Sequence, residues 1–170
     1  MVFHASEEPG LKRFEPRPTK CADDPVVWAI DAERLRNYLL PRECPRVTYY
    51  AGAASDPADV ERFLGESKAV VAVESGWFSR IGSCRLYCYH FQPDTFECVD
   101  ECAGYFISRV PVTSTRVDVC DDVITELLRR NVELRFVPNL WHLHDAVAAS
   151  TLQFSMIRMR NALPRPSQAD

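Results

Sequence analysis

The sequence predicts a mixed α+β fold with mostly antiparallel sheets and flanking helices, on three observations. Strand-like runs outnumber helix-like ones. They do not alternate with helices as parallel βαβ units require. No internal repeat, low-complexity tract or linker divides the chain, so residues 1–162 read as one domain and 163–170 as a flexible tail.

Val2 to Ala5 reads as a first strand, followed by turn chemistry in Ser6-Glu7-Glu8-Pro9-Gly10. Leu11 to Phe14 is expected to form a helical turn, which the prolines of Glu15-Pro16-Arg17-Pro18 stop from growing. Thr19 to Asp24 reads as an exposed loop. Pro25 to Ile30 is a continuous apolar run of the kind that forms a buried strand. Asp31 suits the N-cap of a helix over Ala32 to Leu40, with Leu35, Tyr38 and Leu39 facing the core and Pro41 ending it.

Val47 to Tyr50 suggests a strand, and Ser55-Asp56-Pro57 opens a second helix with Val60, Phe63 and Leu64 on one side. Lys68 to Glu74 is β-branched and reads as a central strand. Ser75 to Gly82 is expected as a helical turn anchored by Trp77 and Phe78. Cys84 to Phe91 reads as a strand, and the turn Gln92 to Thr95 is expected to fold Phe96 to Val99 back on it as a hairpin. Tyr105 to Ser108 and Val112 to Val119 follow as strands. Asp121 or Asp122 caps a helix through Arg130 with Val123, Ile124, Leu127 and Leu128 on its apolar side. Val132 to Val137 is a strand and Asn139 to Ser150 a helix, while Phe154 to Ala162 fits either state.

Composition narrows the class. A net charge of -4 argues against a general nucleic-acid binder, which needs a surplus of Lys and Arg. No apolar run approaches the ~20 residues that cross a bilayer. Seven cysteines, an odd number without a C-x-x-C pair, form no framework, and Met1-Val2-Phe3-His4 does not read as a secretory leader. Reduced thiols and a cytoplasmic location are the expectation.

The candidate chemistry gathers at the ends of the first apolar runs. His4 ends a strand beside Ser6 and two glutamates; it reads either as a ligand-orienting donor or as a structural histidine. Arg17, Arg42 and Arg46 each adjoin a proline-stiffened backbone, which suits bidentate phosphate or carboxylate recognition; solvated arginines pairing with Glu15, Glu43 or Asp31 explain them at least as well. Arg158, Arg160 and Asn161 read by default as a solvated strand or helix face; the alternative is that they return to the His4 end and complete an anion pocket. Cys44 sits between two arginines without a local base. His142 and His144 on one helix point to different faces, so no metal is predicted. Trp77, Trp141, Phe136, Tyr87 and Tyr89 read as packing residues.

His4-Ala5-Ser6, Phe14-Glu15-Pro16-Arg17 and Val27 to Asp31 resemble the motifs of a family of uncharacterised bacterial proteins, as do Pro41 to Arg46, Ala103 to Ser108, Val132 to Phe136 and Ile157 to Asn161. A more distant likeness is to ADP-ribosyltransferase-like domains. A strand with a histidine, a glycine-containing loop, then an apolar strand ending beside a capped helix is similar to their opening. That resemblance implies an ADP-ribosyltransferase-like fold and NAD as cofactor. It implies that His4 holds the ribose or carboxamide and that Trp28 shelves the nicotinamide; in the cleft read from these residues, Arg17 and Arg42 are expected to hold phosphate. Ser6, Arg46 and Tyr105 complete the ligand-binding set. Tyr105 stands in the neighbourhood of the catalytic acid, and Glu101 is the nearby carboxylate.

The activity so implied is ADP-ribosyl transfer or a related phosphotransfer on a nucleotide-like or other anionic small molecule. The alternative is a catalytically inactive relative that binds a protein partner or forms a homodimer through exposed aromatics.

Overall fold

The structure, a computed structural model, describes residues 1–19, 22–101 and 103–166. Positions 20 and 21 of the expected loop, Cys102, and 167–170 of the expected tail lie outside the described residues. In chain order the elements are β1 (Val2–Ser6), β2 (Arg13–Phe14), β3 (Val27–Ile30), a 3-10 turn (Arg34–Tyr38), β4 (Arg46–Tyr50), α1 (Pro57–Phe63) and β5 (Ala69–Glu74). Then come α2 (Phe78–Gly82), β6 (Leu86–Phe91), β7 (Glu97–Asp100), β8 (Tyr105–Ser108), β9 (Val112–Thr113) and β10 (Arg116–Cys120). α3 (Val123–Arg129), β11 (Val132–Val137), α4 (Trp141–Ala148), β12 (Gln153–Ile157) and a 3-10 turn (Met159–Asn161) complete the chain.

The backbone divides into two compact units, one of residues 1–39 with 84–121, the other of 40–83 with 122 onward. The stretch read as one domain contains both. No linker shows in the sequence because each unit is assembled from two separated segments.

The first unit is built on a six-stranded antiparallel sheet in the order β10-β6-β1-β3-β8-β7, with β2 and β9 forming a separate two-stranded ribbon. Its core joins Val2, Val27, Ala29, Tyr89, Phe91 and Val112, with Leu11 and Phe14 packed against them. Two expectations fail here for one reason. The segment before Pro16 forms β2, not a helical turn, because Arg13 and Phe14 pair with Thr113 and Val112. The segment after Pro93 runs to the far edge of the sheet and makes its hairpin with β8 instead of β6. In both, a distant partner strand overrides local turn chemistry. The expected strand Val112 to Val119 is also broken in two, with Ser114 and Thr115 bonding to Lys12 and His90 between β9 and β10.

Asp31 does act at the start of the next turn, its carboxylate accepting the Arg34 N–H, but the turn it opens is a tight 3-10 turn and not an α-helix. Pro41 can supply no N–H to extend it. The carbonyl of Gly104 (φ +67°) accepts the Asp31 N–H, and a Cβ there would fall within 2.6 Å of the Asp31 carboxyl carbon. Only glycine fits that contact without strain.

In the second unit β11, β5, β4 and β12 form a four-stranded sheet, parallel between β11 and β5 and antiparallel elsewhere. All six residues of β5 are buried, as its β-branched run predicts. Val47, Tyr49, Val70 and Ala72 meet Phe63 of α1 and Leu140 and Val147 beside and within α4. Asp56 and Asp122 cap α1 and α3 through the amides of Ala58 and Thr125. Phe78, expected as an anchor, is instead 57% exposed, with its ring edge on Phe136; Leu128 of α3 is 56% exposed. The ambiguous segment is β12 followed by a turn.

Residues 163–165 are held, where a free tail was expected. The Trp141 indole N–H donates to the Leu163 carbonyl at 2.7 Å, and Asn139 Nδ2 to that of Pro164 at 3.1 Å. Arg165 forks onto Asp145 at 2.6 and 3.1 Å and lies 4.1 Å from the centre of the Trp141 ring. These bonds from Arg165, then from His144, bring the Asp145 carboxyl from its ordinary 3.8 to about 2. A depressed carboxylate contributes its stabilisation above the ordinary value and loses it as pH falls through the native one. The Arg165 clamp is therefore expected to hold above about pH 4 and to release toward pH 2. A carboxyl carbon NMR titration of Asp145 checks this; Arg165→Ala should return its midpoint toward 3.8.

Candidate functional site

In the first unit β1 lies between β6 and β3, and its two neighbours treat it differently. With β6 it pairs along its whole length, Val2↔Phe91 through Ser6↔Tyr87. With β3 the register is held at Phe3↔Ile30, and beyond that pair the ladder stops. There the His4 ring takes over, with Nδ1 3.1 Å from the Trp28 carbonyl. A carbonyl oxygen only accepts, so Nδ1 carries the proton in this bond. His4 is half-buried and set edge-on to Phe14, with centroids 5.2 Å apart.

The segment after β1 is tied down on the same side. Ser6 Oγ accepts the Glu8 N–H at 3.1 Å. The fully buried Tyr89, cross-strand partner of His4, donates its hydroxyl to the Glu8 carbonyl at 2.6 Å and accepts the Leu11 N–H at 3.1 Å. Side chains alternate across a strand and paired residues share a face. His4 and Ser6 therefore share one face with Tyr89, Phe91 and Ala29.

Trp28 and Tyr105 occupy the other face. Trp28 pairs with Ile107 and Ile30 with Tyr105, while Ala29 and Val27 point into the core beside Tyr89. The two rings pack edge to face at 5.7 Å, and the Tyr38 hydroxyl donates to that of Tyr105 at 3.1 Å. So the structure joins His4 to Ser6, and Trp28 to Tyr105, but does not bring the two rings to the side of His4.

Arg17 is exposed on a backbone bridge to Val26, with both N–H···O bonds at 3.0 Å. Glu101 is exposed on the turn between β7 and β8. Arg42 and Arg46 belong to the second unit. Arg46 is 2% exposed and donates to the carbonyls of Pro41 at 3.2 Å and Cys44 at 2.9 Å, bracing that loop from within. Arg42 is exposed beside Glu43. Cys44 is buried, and the five cysteines described are free thiols.

One constellation escaped the sequence reading. His90 Nε2 lies 2.8 Å from Asp118 Oδ2, and the other Asp118 oxygen accepts from Arg116 Nε at 2.7 Å. Strand alternation puts Arg116 and Asp118 on one face, a signal the sequence holds; their pairing opposite His90 and Cys88 is set by register alone. Among the described residues, no helix is long and apolar enough to cross a membrane.

These features define an α+β protein whose principal sheet carries a histidine bonded to a neighbouring strand's carbonyl where their ladder stops. The chain matches a family of unknown function (DUF6886) over residues 3–162 and belongs to that family. No curated protein matches it, and no solved structure does.

Proposed function

We propose that the first unit binds a nucleotide-like or other anionic small molecule beside His4. The observation that carries this reading is the His4 Nδ1 bond to the Trp28 carbonyl where β1 leaves β3. A central strand pair that stops early exposes backbone polar groups, and these are paired or serve a ligand. Here a histidine ring fills the gap, bonded through Nδ1 at the point where the ladder ends, and holds an imidazole beside the place a ribose or carboxamide would take. Ser6 on the same face and the backbone-anchored Arg17 supply a hydroxyl and an exposed cation for the polar and anionic parts of such a ligand.

NAD and ADP-ribose come first within that class on the ADP-ribosyltransferase-like resemblance. If the unit turns NAD over, the nicotinamide–ribose bond breaks through an oxocarbenium-like transition state that a carboxylate stabilises, and Glu101 is the nominee. Trp28 is not part of this version, because its ring lies on the face away from His4.

A second reading has its own observation. Trp28 packs on Tyr105 and the Tyr38 hydroxyl donates to that of Tyr105, all three half-buried, as in a relative whose aromatic shelf is occupied by its own side chains and whose role is to bind a protein partner or a second copy.

Calorimetric titration of the full chain with NAD and with ADP-ribose separates the two. The first reading expects saturable binding that His4→Ala and Arg17→Ala each weaken at least about tenfold, a loss of ~1.4 kcal/mol or more. Wild-type protein that takes up neither ligand overturns the NAD version, and a dimer in sedimentation equilibrium would then favour the second reading.

A further inference from the structure

The C-terminal arginines converge on one carboxylate in the second unit. Arg158, between β12 and the last 3-10 turn, has φ 57° and ψ 28°, a left-handed backbone that a residue with a Cβ keeps only when its surroundings hold it. From there its Nε lies 3.3 Å from the Arg42 carbonyl and 3.3 Å from Glu43 Oε1. Arg160 Nη2 is 3.3 Å from Glu43 Oε2. Asn161 Nδ2 donates to that same oxygen at 2.9 Å and to the Glu43 carbonyl at 2.8 Å.

Arg42 presents its carbonyl to Arg158 here, and Arg46 immobilises the loop from within. Arg158 and Arg160 thus set two positive charges against the one carboxylate of Glu43. Both guanidinium contacts to that carboxylate are longer than the ~2.7–2.9 Å of a strong charge-assisted bond, and the Glu43 side chain is 51% exposed. The Asn161 bond, ahead of the arginine charges, holds the Glu43 carboxyl below its ordinary range. Glu43 is therefore an ionised but loosely gripped occupant of a donor set that suits a larger oxyanion.

We propose that this cluster is a phosphate-binding site in which Glu43 stands in for the ligand. A phosphate ester or pyrophosphate of a small molecule displaces the Glu43 carboxylate and takes the donors of Arg158, Arg160 and Asn161. The exchange replaces one charge and two oxygens by roughly two charges and three oxygens, against arginine forks that match phosphate geometry. Exposed ion pairs are weak and salt-screened, so the resident carboxylate opposes it little. The site goes beyond the His4 reading and uses no residue of the first unit, so either can fail alone.

The test is an NMR titration of the full chain with inorganic pyrophosphate at constant ionic strength, following the Nε–H signals of Arg158 and Arg160 and the Asn161 side-chain amide. Saturable shifts at these groups are expected. Glu43→Gln should tighten binding about fivefold, the factor one like-charge contact at ~4 Å in water represents, and Arg158→Gln should weaken it by a similar factor or more. If Arg158→Gln fails to fold, Arg160→Gln, at a side chain 66% exposed, carries the same expectation. The proposal is overturned if neither wild type nor Glu43→Gln gives saturable shifts, or if the arginine substitutions leave the affinity unchanged.

Discussion

Arg46→Met should destabilise the protein by about 3 kcal/mol with no ligand present, and lower Tm by roughly 6–12 °C. The sequence nominates Arg46 as an anion-binding residue, but its guanidinium is 2% exposed and donates to the Pro41 and Cys44 carbonyls. Methionine keeps most of the volume and the apolar stem while leaving both carbonyls without that donor. Buried acceptors stripped of a charged partner cost more than the bond they made. Arg46→Lys retains the charge but not the fork, so it should recover only part of the loss. Urea denaturation at neutral pH, with and without pyrophosphate, is the measurement. A stable Arg46→Met protein that had merely lost anion binding would return Arg46 to the role the sequence proposes. The expected result makes Arg46 a brace of its loop and not a contact for an anion.

Legibility in the sequence tracks the range of the interaction. The all-buried β5 was legible because six consecutive positions from Ala69 to Glu74 carry their own signal. So were the caps at Asp56 and Asp122, whose partners lie two and three residues on. β2 was not legible, because Arg13 and Phe14 are a strand only by virtue of Thr113 and Val112. The same limit governs the candidate site. Alternation within β1 or β3 can be read from the sequence, but the parity between them depends on which residue of β3 stands opposite Phe3. A slip of one residue would exchange the faces of β3 and bring the Trp28 ring to the side of His4. The sequence therefore names His4, Ser6, Trp28 and Tyr105 as strand-end residues without dividing them into the two pairs that the structure forms. Arg158, Arg160 and Asn161 meet Glu43, a pairing across up to 118 residues of chain that no local pattern announces.

Glu74→Ala should produce the other large effect, a loss of about 3–4 kcal/mol. Glu74 ends the fully buried β5 and is itself 3% exposed. Its carboxylate accepts the Leu140 N–H at 3.3 Å, just before α4, and the Leu163 N–H at 3.1 Å from each oxygen. These partners lie 66 and 89 residues away in the chain, so one side chain ties the start of a helix and the C-terminal segment to the central strand. Alanine leaves both amides without their acceptor, and water cannot replace it cheaply in a buried setting. Glutamine separates charge from shape: Oε1 accepts from both amides, so a carbonyl oxygen in its place can keep both bonds and only the charge-assisted part of the loss is expected. Hydrogen exchange distinguishes this from a general weakening of the core. The Leu140 and Leu163 amides should lose protection in Glu74→Ala well before the interior amides of β5, and the Trp141 indole N–H should follow once Leu163 is released. Uniform loss of protection across β5 would mean that Glu74 supports the strand itself rather than the two segments docked on its end.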